Sequence, residues 1–285
     1  MMPNLLQYPI ALFGALRAGL IVVNTNPLYT PREMKHQFTD SGARAIVICE
    51  NFAAEFQTIL AETPIELVIT TSIGEMLGLK GILVDFMVRK VKKMVPSFSI
   101  PGAVSFSAAL SKGKNRPPKK TQTALDDTIV LQYTGGTTGV SKGAMLTNRN
   151  LLANMMQIRA VMMPHLSEGV ETALCALPLY HIFAFTVNCL AIMSIGGRNV
   201  LITNARDIPG LVKELKKTRF TLITGINTLF NALLNHPDFS KIDFSKLKIT
   251  CGGGMAVQRA VAERWAATTG CILAEGYGMT ESSPV

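Results

Sequence analysis

At 285 residues, the chain is long enough for one large domain or two ordinary ones. Its 48% hydrophobic content excludes a disordered chain, and no apolar run reaches the roughly 18 residues of a membrane-spanning helix. The net charge of +9 favours anionic partners, but no stretch alternates basic with aromatic residues, which argues against nucleic acid.

The chain alternates short β-rich runs with helix-length segments along its whole length. The runs are nearly continuous in Val, Ile, Leu and Thr, as expected of parallel strands that are covered on both faces. Alternation of this kind predicts an α/β fold with a mainly parallel sheet. The predicted strands are 45–49, 66–70, 128–134, 172–177, 199–203, 220–224, 248–251 and 272–274.

Several helices have readable ends. Thr30-Pro31-Arg32-Glu33 is a capping box with proline at the first helical position. Asp207 and Pro209 open a helix that ends near Lys217, and an apolar stripe over 257–268 stops at Gly270.

Segment 80–95 predicts a basic amphipathic helix, and 111–120 predicts a charged, proline-bearing linker. Such a helix could lie on an anionic membrane surface or pack on the body as a solvated helix. Its two faces are Leu83, Val84, Met87, Val88, Val91 and Met94, and Arg89, Lys90, Lys92 and Lys93.

The five cysteines are odd in number and widely spaced, with no C-x-x-C pair. This pattern predicts neither a zinc site nor a disulfide framework, and it favours a reducing compartment. Cys49, Cys175 and Cys251 lie in apolar runs, which favours buried thiols.

Residues 133–143 read Tyr-Thr-Gly-Gly-Thr-Thr-Gly-Val-Ser-Lys-Gly and are the most informative stretch. Glycines let backbone N–H groups surround an anion, threonines add hydroxyl donors, and Lys142 adds a positive charge. The common phosphate loop has Gly before the lysine and Ser or Thr after it, so this is a different loop. The run 143–146 predicts a returning strand, with the next helix capped by Thr147 or Asn148. Taken alone, such a strand–loop–strand is also typical of an ordinary hairpin.

Two further motifs follow predicted strands, where parallel sheets place their ligand loops. In 275–281, Tyr277 offers a flat face for a base, Thr280 a hydroxyl for phosphate, and Glu281 a carboxylate for Mg²⁺. In 251–255, three successive glycines allow a planar ring to lie against the backbone. Each motif is also compatible with a simple turn.

The four histidines offer only one candidate. His181, in the run Leu-Pro-Leu-Tyr-His-Ile-Phe at 177–183, follows a strand and precedes an apolar helix, although a lone histidine is more often structural. We predict no role for His36, His165 or His236.

The loop 134–143, the runs 177–183 and 252–255, and the 276–281 motif occur in the order and approximate spacing of the adenylate-forming (AMP-binding) enzymes, so the chain resembles that family. Within it the chain is most similar to bacterial long-chain fatty-acid–CoA ligases, through the loop, the run 224–234 and Ala-Glu-Arg-Trp at 262–265. The resemblance spans the whole chain. It implies an α/β fold that is part of the large N-terminal domain of an adenylate-forming enzyme, with mainly parallel β-sheets layered with helices and no small C-terminal domain.

The resemblance implies a two-step reaction. A fatty carboxylate attacks the α-phosphate of ATP with Mg²⁺ present, giving acyl-adenylate and pyrophosphate, and the CoA thiol then displaces AMP. Glu281, Thr280 and Lys142 are the implied catalytic residues, with Thr134 and Glu281 on the metal. The implied phosphate-binding residues are Gly135, Gly136, Thr137, Thr138, Gly139 and Lys142, with Thr280 at the α-phosphate. The implied adenine-binding residues are Gly253, Gly254 and Tyr277, and those implied near the acyl chain are His181, Phe183, Thr224 and Gly225.

The sequence departs from the family pattern in two ways. Ser141 and Asn148 stand where the superfamily usually has Pro and His, and we interpret both as subfamily variation because neither removes a phosphate donor. The family's ribose-binding aspartate, hinge and C-terminal domain with its adenylation lysine are not in the sequence. We therefore expect an internal fragment with little activity alone.

Two alternatives stay open: an acyl-AMP ligase or another adenylate-former with a different acceptor, and a non-catalytic remnant that binds nucleotide or membrane. The expected partners are fatty acid, ATP and CoA, with no nucleic acid; peripheral membrane association and a homodimer are further options. The expected location is the cytoplasm, with attachment to the inner face of the cell membrane as an option.

Overall fold

The computed structural model describes residues 1–116, 121–135 and 140–285. The chain divides into two compact units, Met1–Met145 and Leu146–Val285. The first unit contains the helices α1 (Gln7–Arg17), α2 (Pro31–Ser41), α3 (Ala53–Gln57), α4 (Leu79–Phe86) and α5 (Phe106–Lys114). Its strands are β1 (Val22–Asn24), β2 (Ala45–Cys49), β3 (Leu67–Thr71), β4 (Val104–Ser105), β5 (Thr128–Thr134) and β6 (Lys142–Thr147), the last of which crosses the boundary.

The second unit contains α6 (Asn148–Met162), α7 (Ile182–Ala184), α8 (Ile208–Lys217), α9 (Asn227–Leu234) and α10 (Arg259–Thr269). Its strands are β7 (Thr172–Cys175), β8 (Arg198–Leu201), β9 (Leu222–Gly225), β10 (Ile249–Gly252) and β11 (Leu273–Glu275). Two π-helical segments, Met87–Val91 and Phe185–Ile192, continue α4 and α7.

The first unit is built on two three-stranded sheets, in the orders β1-β5-β6 and β2-β3-β4. The strands β2, β3 and β4 pair in parallel, and so do β1 and β5. Helix α2 buries Met34 and Phe38 against the β2–β3 layer, where the rings of Phe38 and Phe56 meet edge to face. Apolar residues on one side of α2 therefore form the core of this unit.

The second unit is built on one five-stranded sheet in the order β11-β10-β9-β7-β8. Every neighbouring pair in it is parallel, which confirms the predicted parallel arrangement. The fully buried Trp265 of α10 packs against Phe230 and Phe239, and its indole N–H donates to Thr250 Oγ1 at 3.0 Å. Parallel strands end at one common edge, and that edge carries the loops described below.

Most predicted elements are confirmed, with bounds that shift by a few residues. The strands 45–49 and 128–134 have the predicted bounds, while β1 and β4 were missed because they have only three and two residues. The predicted caps form at Thr30, Thr147, Asp207 and Gly270. All five cysteines are free; Cys49 and Cys175 are buried as predicted, whereas Cys251 is half-buried.

Two segment predictions need correction. The helix expected over 80–95 is α4 followed by the π segment, and helical structure stops at Val91. The linker expected over 111–120 begins later, because α5 continues to Lys114 from its N-cap Ser105. Lys112 and Lys114 lie in the last turn of α5, where positive charge interacts favourably with the helix dipole. Residues 117–120 lie outside the described residues.

Candidate nucleotide site

The glycine-rich loop joins two neighbouring strands, as its sequence predicts. β5 ends at Thr134 and β6 begins at Lys142, so seven residues connect strands that are adjacent in one sheet. A parallel crossover needs about a dozen residues or more, so this connection is a hairpin. The predicted phosphate-binding residues Gly136, Thr137, Thr138 and Gly139 lie outside the described residues. Thr134 is half-buried, and Gly135 and Lys142 are exposed.

The base of this hairpin is closed by hydrogen bonds. The Ser141 hydroxyl donates to the Thr134 carbonyl at 2.6 Å, which ties the last residue of β5 to the residue before β6. His36 Nε2 lies 2.8 Å from the Ser141 carbonyl oxygen. A carbonyl only accepts, so Nε2 carries the proton and donates it. His36 thus has a partner that its sequence context did not indicate.

Tyr133, the residue before Thr134, is also fixed. Its hydroxyl donates to Asp40 Oδ2 at 2.5 Å, and its ring lies where a side chain at Gly143 would need space. Burial, together with the hydrogen bond to the Asp40 carboxylate, raises the pKa of Tyr133 above its usual range. Tyr133 therefore remains a neutral donor.

In the second unit, β9, β10 and β11 end side by side, and their loops bond to each other. The Gly253 N–H donates to the Gly225 carbonyl at 3.2 Å, and the Gly276 N–H donates to the Gly252 carbonyl at 2.7 Å. Glu275 Oε1 accepts from the Val257 N–H at 3.0 Å. The glycine loop after β10 is therefore held on both sides.

Close packing at Gly253 and backbone conformation at Gly254 favour glycine along this edge. A Cβ at Gly253 would lie 3.0 Å from the Phe183 ring and 3.1 Å from the Gly276 carbonyl oxygen. Gly254 has a φ of +76°, in the left-handed region. Tyr277 is 85% exposed beside them. Gly253 is buried and Gly254 is exposed, so the backbone at Gly254 and the Tyr277 ring are the accessible parts of this edge.

Thr280 and Glu281 lie on a short 3₁₀ turn, Thr280–Ser282, directly after this edge. The segment that follows is fixed, since the Thr186 hydroxyl donates to the Ser283 carbonyl at 2.8 Å. Glu281 is exposed. Within the described residues, no group of three His, Cys, Asp or Glu side chains could hold a metal. A single exposed carboxylate fits Mg²⁺, which keeps several waters and binds through one or two carboxylates and substrate phosphates.

The residues expected near the acyl chain differ in their accessibility. His181 caps α7 by accepting from the Phe183 N–H at 3.4 Å; it keeps an exposed edge, although desolvation by its neighbours lowers its pKa. Phe183 is buried beside Gly253, and a Cβ at Gly225 would collide with the Phe230 ring. Thr224 is fully buried, and its hydroxyl donates to Asn188 Oδ1 at 3.0 Å.

The Asn188 amide in turn donates to Asn199 Oδ1 at 3.1 Å, so the end of β9 rests on a buried polar cluster. Sequence reasoning missed Asn188, which lies inside an apolar run that reads as core. It also treated Ser141 as neutral variation. A serine at a loop base beside a strand-ending threonine is a usable signal, because its hydroxyl can bond to nearby backbone.

The chain matches proteins of known function over its full length. The profile of the family described as "AMP-binding enzyme" matches residues 1–285. Proteins named long-chain-fatty-acid–CoA ligase from Escherichia coli O157:H7 and Haemophilus influenzae are 57% and 55% identical to the whole chain. The chain covers 51% of each, and so spans about half the length of the curated relatives it matches.

Solved structures share its fold. An anthranilate CoA ligase in complex with anthranoyl-AMP superposes with a TM-score of 0.82 at 20% identity, over 100% of this chain and 50% of its own. A long-chain-fatty-acid-CoA ligase from Archaeoglobus fulgidus superposes with a TM-score of 0.76 at 23% identity, over 100% of this chain and 52% of its own. The predicted fold class is thus confirmed. Because the family profile covers every residue, the chain belongs to the AMP-binding enzymes.

Proposed function

We propose that the protein is a ligase that activates a long-chain fatty acid with ATP to an acyl-adenylate and transfers the acyl group to CoA. The observation that carries the proposal is identity of 55–57% with curated long-chain-fatty-acid–CoA ligases across all 285 residues. Hydrogen-bonded strand-end loops with closely packed glycines, at the edge where parallel sheets bind ligands, support it.

The proposed roles follow the chemistry of each group. Adenylation brings together two anions, the fatty carboxylate and the α-phosphate, so donors aimed at phosphoryl oxygens contribute most. The hairpin loop with Lys142 binds the phosphates, and Thr280 donates its hydroxyl at the α-phosphate. The backbone at Gly253 and Gly254 and the Tyr277 ring bind the adenine. Thr134 and Glu281 would hold Mg²⁺, which neutralises phosphate charge when bound.

A chimera tests the proposal. The half of the Escherichia coli O157:H7 relative that aligns with this chain is replaced by residues 1–285, and palmitoyl-CoA formation is measured with ATP and Mg²⁺. We expect activity within tenfold of the relative, and a loss of at least a hundredfold in the Glu281→Gln chimera, because the change removes a proposed ligand of the Mg²⁺ that would stabilise the phosphoryl charge.

Each other outcome has a definite meaning. Release of pyrophosphate with no acyl-CoA would contradict the CoA acceptor and favour an acyl-AMP ligase. No adenylation at all, by a folded chimera, would contradict the proposed activity and leave a non-catalytic binding protein. A series of fatty acids of different lengths tests the long-chain substrate.

We further propose that the protein attaches peripherally to anionic membrane through α4. No helix in the described part of the chain is long and apolar enough to cross a membrane. The inner side of α4 is fixed: Asp85 accepts from the Ser72 hydroxyl and the Gly74 N–H at 2.6 and 2.7 Å. In the π segment, Arg89 donates twice to Glu50, at 2.8 and 2.7 Å.

The opposite side, the α4 outer face, is apolar and exposed. It consists of Leu79, Ile82, Leu83, Phe86 and Met87. Leu79 is 88% exposed and Ile82 is 70% exposed. Contiguous exposed apolar residues on a fixed helix are typical of an interaction surface.

The charge around this face favours lipid over a second copy of the chain. Residues 79–94 contain five basic side chains and one acidic side chain. A self-contact through this face would bring like charges together, whereas an anionic bilayer surface attracts them. A helix with an apolar face flanked by basic residues would lie in the plane of the interface, with its apolar side in the headgroup region.

Vesicle sedimentation tests the attachment. We expect the protein to bind phosphatidylglycerol-containing vesicles, and to lose at least tenfold in partitioning when Ile82→Ser is combined with Phe86→Ser. A triple change of Lys90, Lys92 and Lys93 to Gln should also weaken binding, with less dependence on salt. Matched controls are Val161→Ser on α6, and Lys213, Lys217 and Lys246 to Gln. Partitioning that is unchanged by the α4 variants, or a dimer that they dissociate, would contradict the proposal.

A further inference from the structure

Helix α2 bonds to two strands of the sheet that carries the glycine-rich hairpin and to the residue that immediately precedes its third strand. Gln37 Nε2 donates to the Asn24 carbonyl of β1 at 3.0 Å. Asp40 accepts from the Tyr133 hydroxyl of β5, and His36 donates to the carbonyl of Ser141, immediately before β6. Positions i, i+1 and i+4 of a helix lie on one side of it, so one polar side of α2 makes all three bonds.

The bonds differ in what they fix. Those of Gln37 and Asp40 hold residues within β1 and β5, where the Gln37 and Tyr133 side chains are buried. The bond of His36 holds the closing end of the loop itself. The His36 ring also lies edge-on to Tyr133, with centroids 6.4 Å apart, so its orientation is set by the same group that Asp40 holds. A donor with a fixed orientation restrains the Ser141 carbonyl.

The Ser141 carbonyl belongs to the peptide that links Ser141 to Lys142. Its restraint therefore also orients the Lys142 N–H and the start of the Lys142 side chain. The same restraint acts on the other end of the loop, because the Ser141 hydroxyl donates to the Thr134 carbonyl. Both ends of the loop are thus held before any ligand arrives. Pre-ordering of this kind improves affinity, because less conformational entropy is lost on binding.

We propose that His36 is a positioning residue for the Ser141–Lys142 peptide at the closing end of the glycine-rich hairpin, which it holds ready for a nucleoside triphosphate by bonding the Ser141 carbonyl. This inference rests on the phosphate-binding role proposed above for the loop. His36 acts through a neutral or charged Nε2–H donor and not as a phosphate ligand. A glutamine at position 36 should preserve the hydrogen bond to the Ser141 carbonyl, because its amide nitrogen can occupy the position of Nε2.

Two measurements on the purified 285-residue protein test the proposal. Calorimetric titration with MgATP should show affinity reduced about fivefold to twentyfold in His36→Ala and restored to within threefold in His36→Gln. Hydrogen exchange without ligand should show faster exchange at the Lys142 and Gly143 amides in His36→Ala only. His165→Ala, at an exposed position of the second unit, is the matched control.

The outcomes separate this inference from the proposed function. If the unmodified protein binds no MgATP, the phosphate-binding role fails, while the exchange measurement still decides whether His36 orders the loop. If MgATP binds and His36→Ala binds it equally well, positioning by His36 is overturned. Loss in both His36→Ala and His36→Gln, with unchanged exchange, would make His36 a direct phosphate ligand and also overturn it.

Discussion

Single glycines shape the sheet edge of the second unit that is proposed to bind adenine. A Cβ at Gly253 would lie 3.0 Å from the Phe183 ring and 3.1 Å from the Gly276 carbonyl oxygen, which is tighter than ordinary van der Waals contact. Neither neighbour can retreat easily, because Phe183 is buried and the Gly276 N–H is bonded to Gly252. A side chain at 253 would therefore separate the two loops that are proposed to hold adenine.

We expect Gly253→Ala to lower the free energy of unfolding by about 1–3 kcal/mol, the usual cost of overpacking. It should also weaken MgATP binding, since the Gly276 loop must shift. Gly113→Ala is the matched control: its Cβ meets nothing within 4 Å and it lies inside α5, so the change should stabilise by about 1 kcal/mol. Thermal unfolding and calorimetry measure both. Unchanged MgATP affinity in Gly253→Ala would remove this loop from the adenine site.

At the scale of elements, composition predicted which segments are helices and strands, but not every face. The stretch 79–88 is apolar on nearly all sides, so periodicity could not decide which side packs inward. The prediction grouped Val84 and Val88 with Leu83 and Met87, whereas in the structure Val84 and Val88 are half-buried and Leu83 and Met87 are exposed. Gly81 decides the orientation, because a Cβ at that position would collide with the Gly74 carbonyl oxygen.

The sequence predicted the loops of the candidate site but not the long-range contacts that hold them. Motifs at strand ends were found because parallel strands place their following loops at one edge, a rule that is local in sequence. The bond between His36 and Ser141 joins residues 105 positions apart, and no local pattern reports such a pair. The π segment Phe185–Ile192, which carries Asn188, was missed for a related reason: an uninterrupted apolar run predicts burial but not helix type.

At the scale of the molecule, the sheet of the second unit separates its proposed binding residues from a stabilising charge pair. The loops proposed to bind nucleotide follow the carboxyl ends of the strands. At the amino ends, Glu171 precedes β7 and Lys248 precedes β10, and Lys248 Nζ donates to Glu171 Oε1 at 2.6 Å. The Glu171 side chain is fully buried, and its Oε1 also accepts from the Ser167 N–H. A substitution in the Glu171–Lys248 pair can therefore change the stability of this unit without touching the loops that are proposed to bind nucleotide.

The pair also makes stability depend on pH in a defined direction. Burial by itself raises the pKa of Glu171, but hydrogen bonds from Lys248, Thr221 and Ser167 outweigh it, and the net pKa is lowered. A carboxyl with a lowered folded pKa stabilises the fold above its unfolded pKa of about 4.3, and that stabilisation is lost as the pH falls through the folded value. We expect Lys248→Met to cost about 3–5 kcal/mol at pH 7, because it leaves a buried charge unpaired.

Acid sensitivity should change together with stability. Without Lys248 the folded pKa of Glu171 should rise towards or above its unfolded value, so protonation at low pH relieves the unpaired charge, and the cost of Lys248→Met should shrink as the pH falls from 8 to 4. The fluorescence of Trp265, the single tryptophan, reports unfolding of this unit in urea between pH 4 and 8. Glu171→Gln combined with Lys248→Met removes both charges and should recover part of the loss. Arg259→Met, which breaks the exposed pair with Glu263, should cost less than about 1 kcal/mol. Equal costs for Lys248→Met and Arg259→Met would show that water compensates Glu171, and the amino edge would then not be where this unit is stabilised.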